Sequence, residues 1–333
     1  MKKIKIVLII VVFFLLIILL GKLVSFKYVK EYLEGSFVRD YYMEENSHDI
    51  IFLGDCEVYT SISPIYMYEK YGITSFVRGN SRQLINQSYY LLKETLKYEK
   101  PKIVALSVSV LPYEGQIKEE YNRLLLDDMK WSREKISLMK ASLMNNESYL
   151  SYIFPLLRYH SRITSLNSDD FKYLFSREVV SHNGFLINQE VKALNILPGK
   201  RILDNPNFPK ENINYLNKIY DLCQENNITL ILFKSPNLYP HWYQEYENWL
   251  INYAQEKNIT YYNFLNNDDI NLDFQYDTYD GGNHLNLRGA EKLTNYFGQI
   301  LKEKYSLTDY RNNTKINEDY QRKIERYNNE KNS

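Results

Sequence analysis

The chain has 333 residues, 44% of them hydrophobic and 25% charged, the balance of an ordinary globular protein rather than a disordered one. Its 41 basic and 41 acidic side chains cancel, so the basic excess of a nucleic-acid binder is missing and no nucleic-acid partner is expected. Length alone leaves one large domain or two small ones, and the 32 tyrosines fit a half-buried surface better than a sugar-stacking platform.

The first predicted element is a membrane anchor over residues 1–27. Lys2, Lys3 and Lys5 precede an unbroken apolar run from Ile6 to Leu20. With Lys22 snorkelling and the count carried to Phe26, the segment reaches about 30 Å at ~1.5 Å per residue, enough to span. Beyond it, "GKLVSFKYVKEYLEG" has only Gly21 and Ser25 as small residues, which favours an uncleaved span over a cleaved signal peptide. Orientation rests on the short basic N-terminus, expected in the cytoplasm with the body outside. Residues 28–48 form a juxtamembrane segment.

Strands and helices then alternate. "DIIFLG", "ITSFVRG", "KIVALSVSVLP", "ITLILFKSP" and "ITYYNF" read as strands. "PIYMYEKYG", "LINQSYYLLKETLKYEK", "NINYLNKIYDLCQENN", "YQEYENWLINYAQEKN" and "NLRGAEKLTNYFGQILKEKY" read as helices. Strict alternation predicts an α/β fold: a three-layer, doubly wound, mostly parallel sheet over residues 49–112 and 211–305, with ligands beyond the carboxyl ends of its strands. Residues 113–210 interrupt it and are too long for a connection. Their first half reads helical and their second is irregular, with Gly184, Pro198, Gly199, Pro206 and Pro209; they predict a cap over the site. Residues 306–333 are polar throughout and predict a frayed or disordered tail.

Cys56 falls at the tip of the first strand in "IIFLGDCEVYTSISP", as a nucleophile, half of a disulfide, or a small core residue. Cys223 shares an apolar helical stripe with Ile219 and Leu222 and reads as core, a poor disulfide partner for a strand tip. Asp277, Asp280 and His284 lie together in "DTYDGGNHLNLRGAEKL". A thiol needs a base to become a thiolate, and the base needs a third group to hold its tautomer; Cys, His and Asp supply those roles however far apart in sequence. No His/Cys/Asp cluster has metal-ligand spacing and no glycine-rich phosphate loop occurs, so neither metal nor cofactor is expected. Cys56 has no cysteine two residues away, which argues against thioredoxin-type chemistry.

"FLGDCEVYTSISP" together with "DGGNHLN..GAEKL" resembles the SGNH (GDSL-type) hydrolases and acyltransferases, and most nearly their membrane-anchored bacterial branch, which includes the D-alanine-transfer proteins of teichoic-acid modification. The resemblance covers the sheet domain alone. It implies an acyl-transfer nucleophile at Cys56, where the family has serine, and a base at His284. The family's Asp stands three residues before the His, where this chain has Gly281; Asp280 and Asp277 remain, with Asp280 preferred. The oxyanion hole implied is the Cys56 backbone N–H with Gly79 and Asn80 from "VRGNSRQ". The family's third-block Asn is missing, and Ser109 or Asn80 would complete the hole. A thioester passes its acyl group readily to a hydroxyl or amine, so cysteine suits transfer at least as well as hydrolysis.

Arg78 near the site, and Arg158, His160 and Arg162 in "RYHSR", are candidate binders of an anionic glycan or teichoic phosphate; His182 reads as a turn and His241 as a helix-opening residue. The function expected is a membrane-anchored extracytoplasmic esterase or acyltransferase. It would act on acyl groups of a cell-envelope polymer through a Cys-His-Asp site, beside a membrane-bound O-acyltransferase as partner. The alternative is a catalytically silent subunit that holds glycan for that partner. An active thiol is expected to show a depressed pKa; a silent one is not.

Overall fold

The computed structural model describes residues 2–333 except 116, 198, 201, 203, 204 and 266, so Pro198 lies outside the described residues. The apolar runs pair into one sheet of five parallel strands: β1 (Ile50–Gly54), β2 (Ser75–Gly79), β3 (Ile103–Ser107), β4 (Thr229–Lys234) and β5 (Thr260–Asn263), in the order β2-β1-β3-β4-β5. In register, Ile51 stands between Phe76 and Val104. Side chains alternate between faces with the period of two that a strand imposes. Ile51, Leu53, Val104, Leu106, Leu230 and Leu232 enter one core; Ile50, Phe52, Ile103, Ala105, Ile231 and Phe233 enter the other. Both faces must therefore be covered, which explains why these strands are continuously apolar rather than alternating.

The covering helices follow in chain order. Before the sheet come α1 (Lys2–Val24) and α2 (Phe37–Tyr42); α3 (Cys56–Tyr59), α4 (Pro64–Tyr71) and α5 (Ile85–Thr95) link the first three strands. The insertion carries α6 (Glu119–Leu126), α7 (Arg133–Ser142), α8 (Tyr149–Ile153), α9 (Leu156–Tyr159) and α10 (Ser168–Lys172). Then come α11 (Lys210–Glu225), α12 (Gln244–Lys257), α13 (Leu287–Lys304) and α14 (Thr314–Lys331). Side chains of α5, α7, α11 and α12 fill the first core; those of α4 and α13 fill the second. Local signals set the boundaries: Ser63 accepts the Tyr66 N–H to open α4, with Pro64 in its first turn, and Gly72 closes it in the left-handed region at φ 68°. Among the described residues, α1 is the one helix long and apolar enough to cross a membrane.

The insertion does not behave as a single cap. Leu125, Leu126, Leu138 and Met139 from α6 and α7 are buried in the core of one sheet face, so this half belongs to the helical layer. Helices α9 and α10 pack against α1. Farther on, Asn183 O accepts the β2 N–H of Val77 at 3.0 Å, in a turn closed by His182 and Phe185. Among the described residues, the insertion reaches the cavity described below only at its two ends.

The C-terminal segment differs from the frayed tail expected of it. Tyr320 and Tyr327 of α14 are fully buried; Tyr320 stacks on Tyr68 with centroids 3.8 Å apart and receives the Asn183 side-chain amide at 3.3 Å. Arg326 donates to the Val179 carbonyl at 2.8 Å, so α14 clasps the insertion to the sheet domain. Tyr320→Ala is expected to cost about 3–5 kcal/mol, the range for deleting a buried aromatic, read as a lowered denaturation midpoint.

Juxtamembrane α2 is tied down by His48, whose Nδ1 lies 3.1 Å from Glu99 Oε2 and whose Nε2 lies 3.3 Å from Glu44 Oε2. Burial opposes the charge on this ring, but Glu99 and Glu44 outweigh it and push its pKa up to about 9. A pKa raised in the folded state adds stability that is full below the unfolded value of about 6.5 and is lost as pH rises through about 9. His48→Gln is therefore expected to flatten the fall in stability between those two pH values, measured by denaturant titration.

Candidate active site

Strand β1 is the topological switch: the chain leaves it for β2 on one side and returns through β3 on the other, which opens a crevice at its carboxyl end. Gly54 ends the strand where a Cβ would fall 2.3 Å from Val58 Cγ2 and 2.9 Å from Ser107 Cβ, so only glycine lets α3 begin there. The Asp55 carboxylate accepts the Glu57 N–H at 3.1 Å and caps α3, leaving Cys56 as its first residue. Cys56 is half-buried and free; Cys223 is free and fully buried in the core. The thiol of Cys56 is not depressed. Burial first, then the neighbouring Asp55 and Glu57, push it well above its usual range, against the backbone N–H groups of Arg82 and of Cys56 itself, which favour the thiolate.

His284 sits on the turn between Thr278 and Leu285, which form an isolated bridge. Gly281 and Gly282 take φ values of 81° and 100°, a left-handed pair that curls the chain back. Asp280, four residues before the histidine, thus reaches it: Oδ2 lies 2.6 Å from His284 Nδ1, and Oδ1 accepts the His284 backbone N–H at 2.7 Å. Burial works against the Asp280 charge, but the hydrogen bonds from His284 side chain and backbone prevail and hold it below the ordinary carboxylate range. Tyr279 stacks on the imidazole at 5.6 Å. With Nδ1 committed to Asp280, Nε2 is the ring nitrogen left to exchange a proton. Asp277 is elsewhere engaged: fully buried, it holds Lys292 at 2.6 Å and Arg288 at 3.0 Å and accepts the Asp273 N–H at 2.7 Å.

Cys56, Glu57, Asn283 and His284 line one cavity of about 970 Å³. Its walls are Tyr113, Tyr121 and Lys118 from the start of the insertion, Lys200 from its end, and Tyr239, His241, Trp242 and Tyr243 from the loop after β4. His241 was expected to cap or pack; it packs edge-on against Tyr243 at 4.7 Å and also faces the cavity.

Gly79 and Asn80 are not among the cavity's lining residues. Asn80 is buried, accepts the Ser81 N–H at 2.7 Å, and keeps its side-chain amide nitrogen without a partner; the Ser109 hydroxyl is likewise buried and unpartnered. Instead Arg82, held at φ 54°, lines the cavity with Cys56, and its backbone N–H favours the thiolate. No sequence signal marks Arg82, since a left-handed arginine is rare and leaves no compositional trace.

The four predicted anion binders also lie off the cavity. Arg78 is buried, donates to Glu94 at 2.7 Å and stacks on Tyr41 at 3.9 Å. Arg158 pairs with Glu119 at 2.9 Å, and Arg162 with Asp170 at 2.9 Å beside α1. His160 is exposed, its Nδ1 3.3 Å from the Leu157 carbonyl.

Sequence reading missed a charge cluster beneath the nucleophile slot. Lys234, at the end of β4, is fully buried, with Nζ 3.5 Å from Glu57 Oε2 and bonded to the Asn237 side chain. Asn237 donates to Glu57 Oε1 at 2.6 Å. Burial lowers the Lys234 pKa, against the pull of Glu57 and Asp55, and burial with Glu57 raises that of Asp55. The adjacency of Glu57 to Cys56 and the lysine at a strand's carboxyl end were the available signals. Lys234→Met strands a buried carboxylate without its cation and is expected to cost about 3–5 kcal/mol, seen as a lowered denaturation midpoint.

No family model and no curated protein matches the chain. Solved structures align with it at low identity. A GDSL-like lipase from Bacteroides thetaiotaomicron is 10% identical at a TM-score of 0.40, over 82% of this chain and 100% of that one. A psychrotrophic esterase from Pseudoalteromonas is 11% identical at 0.39, over 77% and 97%. A family 3 carbohydrate esterase from Clostridium thermocellum is 13% identical at 0.36, over 78% and 96%.

Proposed function

We propose that the chain is a membrane-anchored, extracytoplasmic SGNH-like esterase or acyltransferase that handles acyl groups on a cell-envelope polymer through Cys56, His284 and Asp280. The observation that carries the reading is that the thiol at the carboxyl end of β1 and His284, held by Asp280, open onto the same cavity. The resemblance of the two motifs to the SGNH family adds to it. The aromatic walls suit sugar rings, and the tether of α1 suits a polymer at the cell surface beside a membrane-bound O-acyltransferase.

In the first half-reaction Cys56 Sγ attacks the acyl carbonyl while His284 Nε2 takes the thiol proton. The carbonyl oxygen becomes an oxyanion met by the backbone N–H groups of Cys56 and Arg82. Collapse expels the polymer alkoxide, which receives the proton from His284, and leaves an S-acyl thioester. In the second half-reaction His284 deprotonates water or an acceptor hydroxyl, which attacks the thioester and returns the thiol. The raised thiol pKa means that no resting ion pair forms; Cys56 loses its proton during attack, as a serine does.

The same raised thiol, with the missing third-block Asn, favours the second reading, a silent subunit that holds glycan. Incubating the protein with an O-acetylated polysaccharide separates the two. The catalytic reading expects acetate release or transfer that Cys56→Ala abolishes while polymer binding persists. The silent reading expects binding without release in both proteins.

A further inference from the structure

We propose that residues 149–175 of the insertion form a collar around the end of α1 that seats in the apolar boundary of the bilayer's outer leaflet. The proposal rests on the reading of α1 as a membrane span. Helix α9 starts against α1 at Gly21, where a Cβ would lie 3.6 Å from Pro155 Cδ and 3.7 Å from the Leu156 nitrogen. Gly21 is three residues short of the end of α1 at Val24, about 4.5 Å back toward the membrane at ~1.5 Å per residue. Whatever touches Gly21 therefore stands at the depth of the span's own outer end. Arg162 donates to the Val24 carbonyl, and Lys27 to the Lys22 and Leu23 carbonyls at 2.8 and 3.0 Å, so side chains satisfy the end of the helix at that level.

The surface continuous with this contact is apolar. Leu150, Ile153, Leu157, Ile163, Phe171 and Phe175 are all exposed within a stretch of 26 residues; Leu157, Ile163 and Phe171 are on segments that touch α1, and α8, which carries Leu150 and Ile153, packs on α9. A soluble face does not concentrate large side chains in this way. The cations among them are neutralised: Lys30 pairs with Asp169 at 2.5 Å, Arg158 with Glu119 at 2.9 Å and Lys172 with Glu178 at 3.1 Å. The fitting occupant is thus the headgroup–acyl boundary itself, bound through apolar burial rather than through anionic headgroups. Helix α6 ties this collar to the cavity. Its Arg123 donates to Ser151 at 2.7 Å and stacks on Tyr152 at 4.1 Å, while its Tyr121 lines the cavity wall. Tyr121 and Arg123 stand two residues apart on that helix, about 3 Å in rise, so one element holds both the collar and the cavity wall.

The test is photo-crosslinking of the full-length chain in phosphatidylcholine nanodiscs, with p-benzoylphenylalanine placed singly at Leu15, Leu157, Ile163 or Ile251. Positions 15, 157 and 163 are expected to give lipid adducts by mass spectrometry, and 251, an exposed position of α12, none. Adducts at 157 and 163 should persist at similar yield in phosphatidylglycerol. An adduct at 15 without adducts at 157 and 163 overturns the collar and leaves the anchor standing. Absence at 15 overturns the anchor and the collar with it. A cross-link joining two copies at 157 or 163 assigns the face to self-association and overturns lipid seating.

Discussion

Asp280→Asn is expected to lower turnover of an activated ester about ten-thousand-fold, while Asp277→Asn leaves turnover within a few-fold. The difference follows from what each carboxylate holds. Asp280 accepts from both the ring and the backbone of His284, fixing the tautomer that leaves Nε2 unprotonated and offsetting the charge that forms when the ring takes the thiol proton. An amide there presents its NH2 to Nδ1 and turns the ring to the wrong tautomer, which is the source of the large factor. Asp277 instead binds Lys292 and Arg288 across the start of α13, and its loss is expected to cost about 2 kcal/mol of stability, with the two cations free to hydrate. Paired kcat values and denaturation midpoints check both halves. Normal turnover in Asp280→Asn with loss in Asp277→Asn would reverse the assignment.

The second large effect is a change in pH dependence. His284→Ala is expected to slow acylation of Cys56 at pH 7 by about a thousandfold or more, within the span that loss of a triad member produces. The residual rate should then climb tenfold per pH unit without a plateau below pH 9. The sign follows from the thiol: burial, Asp55 and Glu57 raise its pKa, so without an internal base the thiolate must come from solvent, and its fraction grows tenfold per unit below that pKa. In the wild type the internal base removes that requirement. A residual rate independent of pH, or one equal to the wild type at pH 7, would mean that His284 does not act on Cys56.

Much of the scaffold was legible because parallel strands buried on both faces cannot hide: "DIIFLG" and "KIVALSVSVLP" are too apolar and β-branched for anything else. The third strand ends at Ser107, earlier than its apolar run, because Val108 to Leu111 continue as buried loop, with Val108, Val110 and Leu111 packed in the first core. In the tail, the abundance of charge masks a helical spacing. Ile316, Tyr320, Ile324 and Tyr327 recur at helical intervals, and that stripe is what packs on α4 and the insertion. At the candidate site, Cys56, His284 and Asp280 stood out because cysteine and histidine are rare in this chain and the three lie beside strand or helix ends. Arg82 did not, since a backbone N–H set by a dihedral angle leaves no trace in residue type. Nor did the remoteness of Arg78, Arg158 and Arg162 from the cavity, because an arginine's charge says nothing about whether a carboxylate already holds it.

The most direct test of Cys56 as an acyl-accepting nucleophile is the intact mass of the reduced, folded full-length protein after exposure to an activated acetyl ester, beside Cys56→Ala and His284→Ala. One acetyl group on the wild type, mapped to the peptide carrying Cys56 and missing from both variants, is the predicted result. No adduct on the wild type, or an adduct that survives in Cys56→Ala, would contradict it.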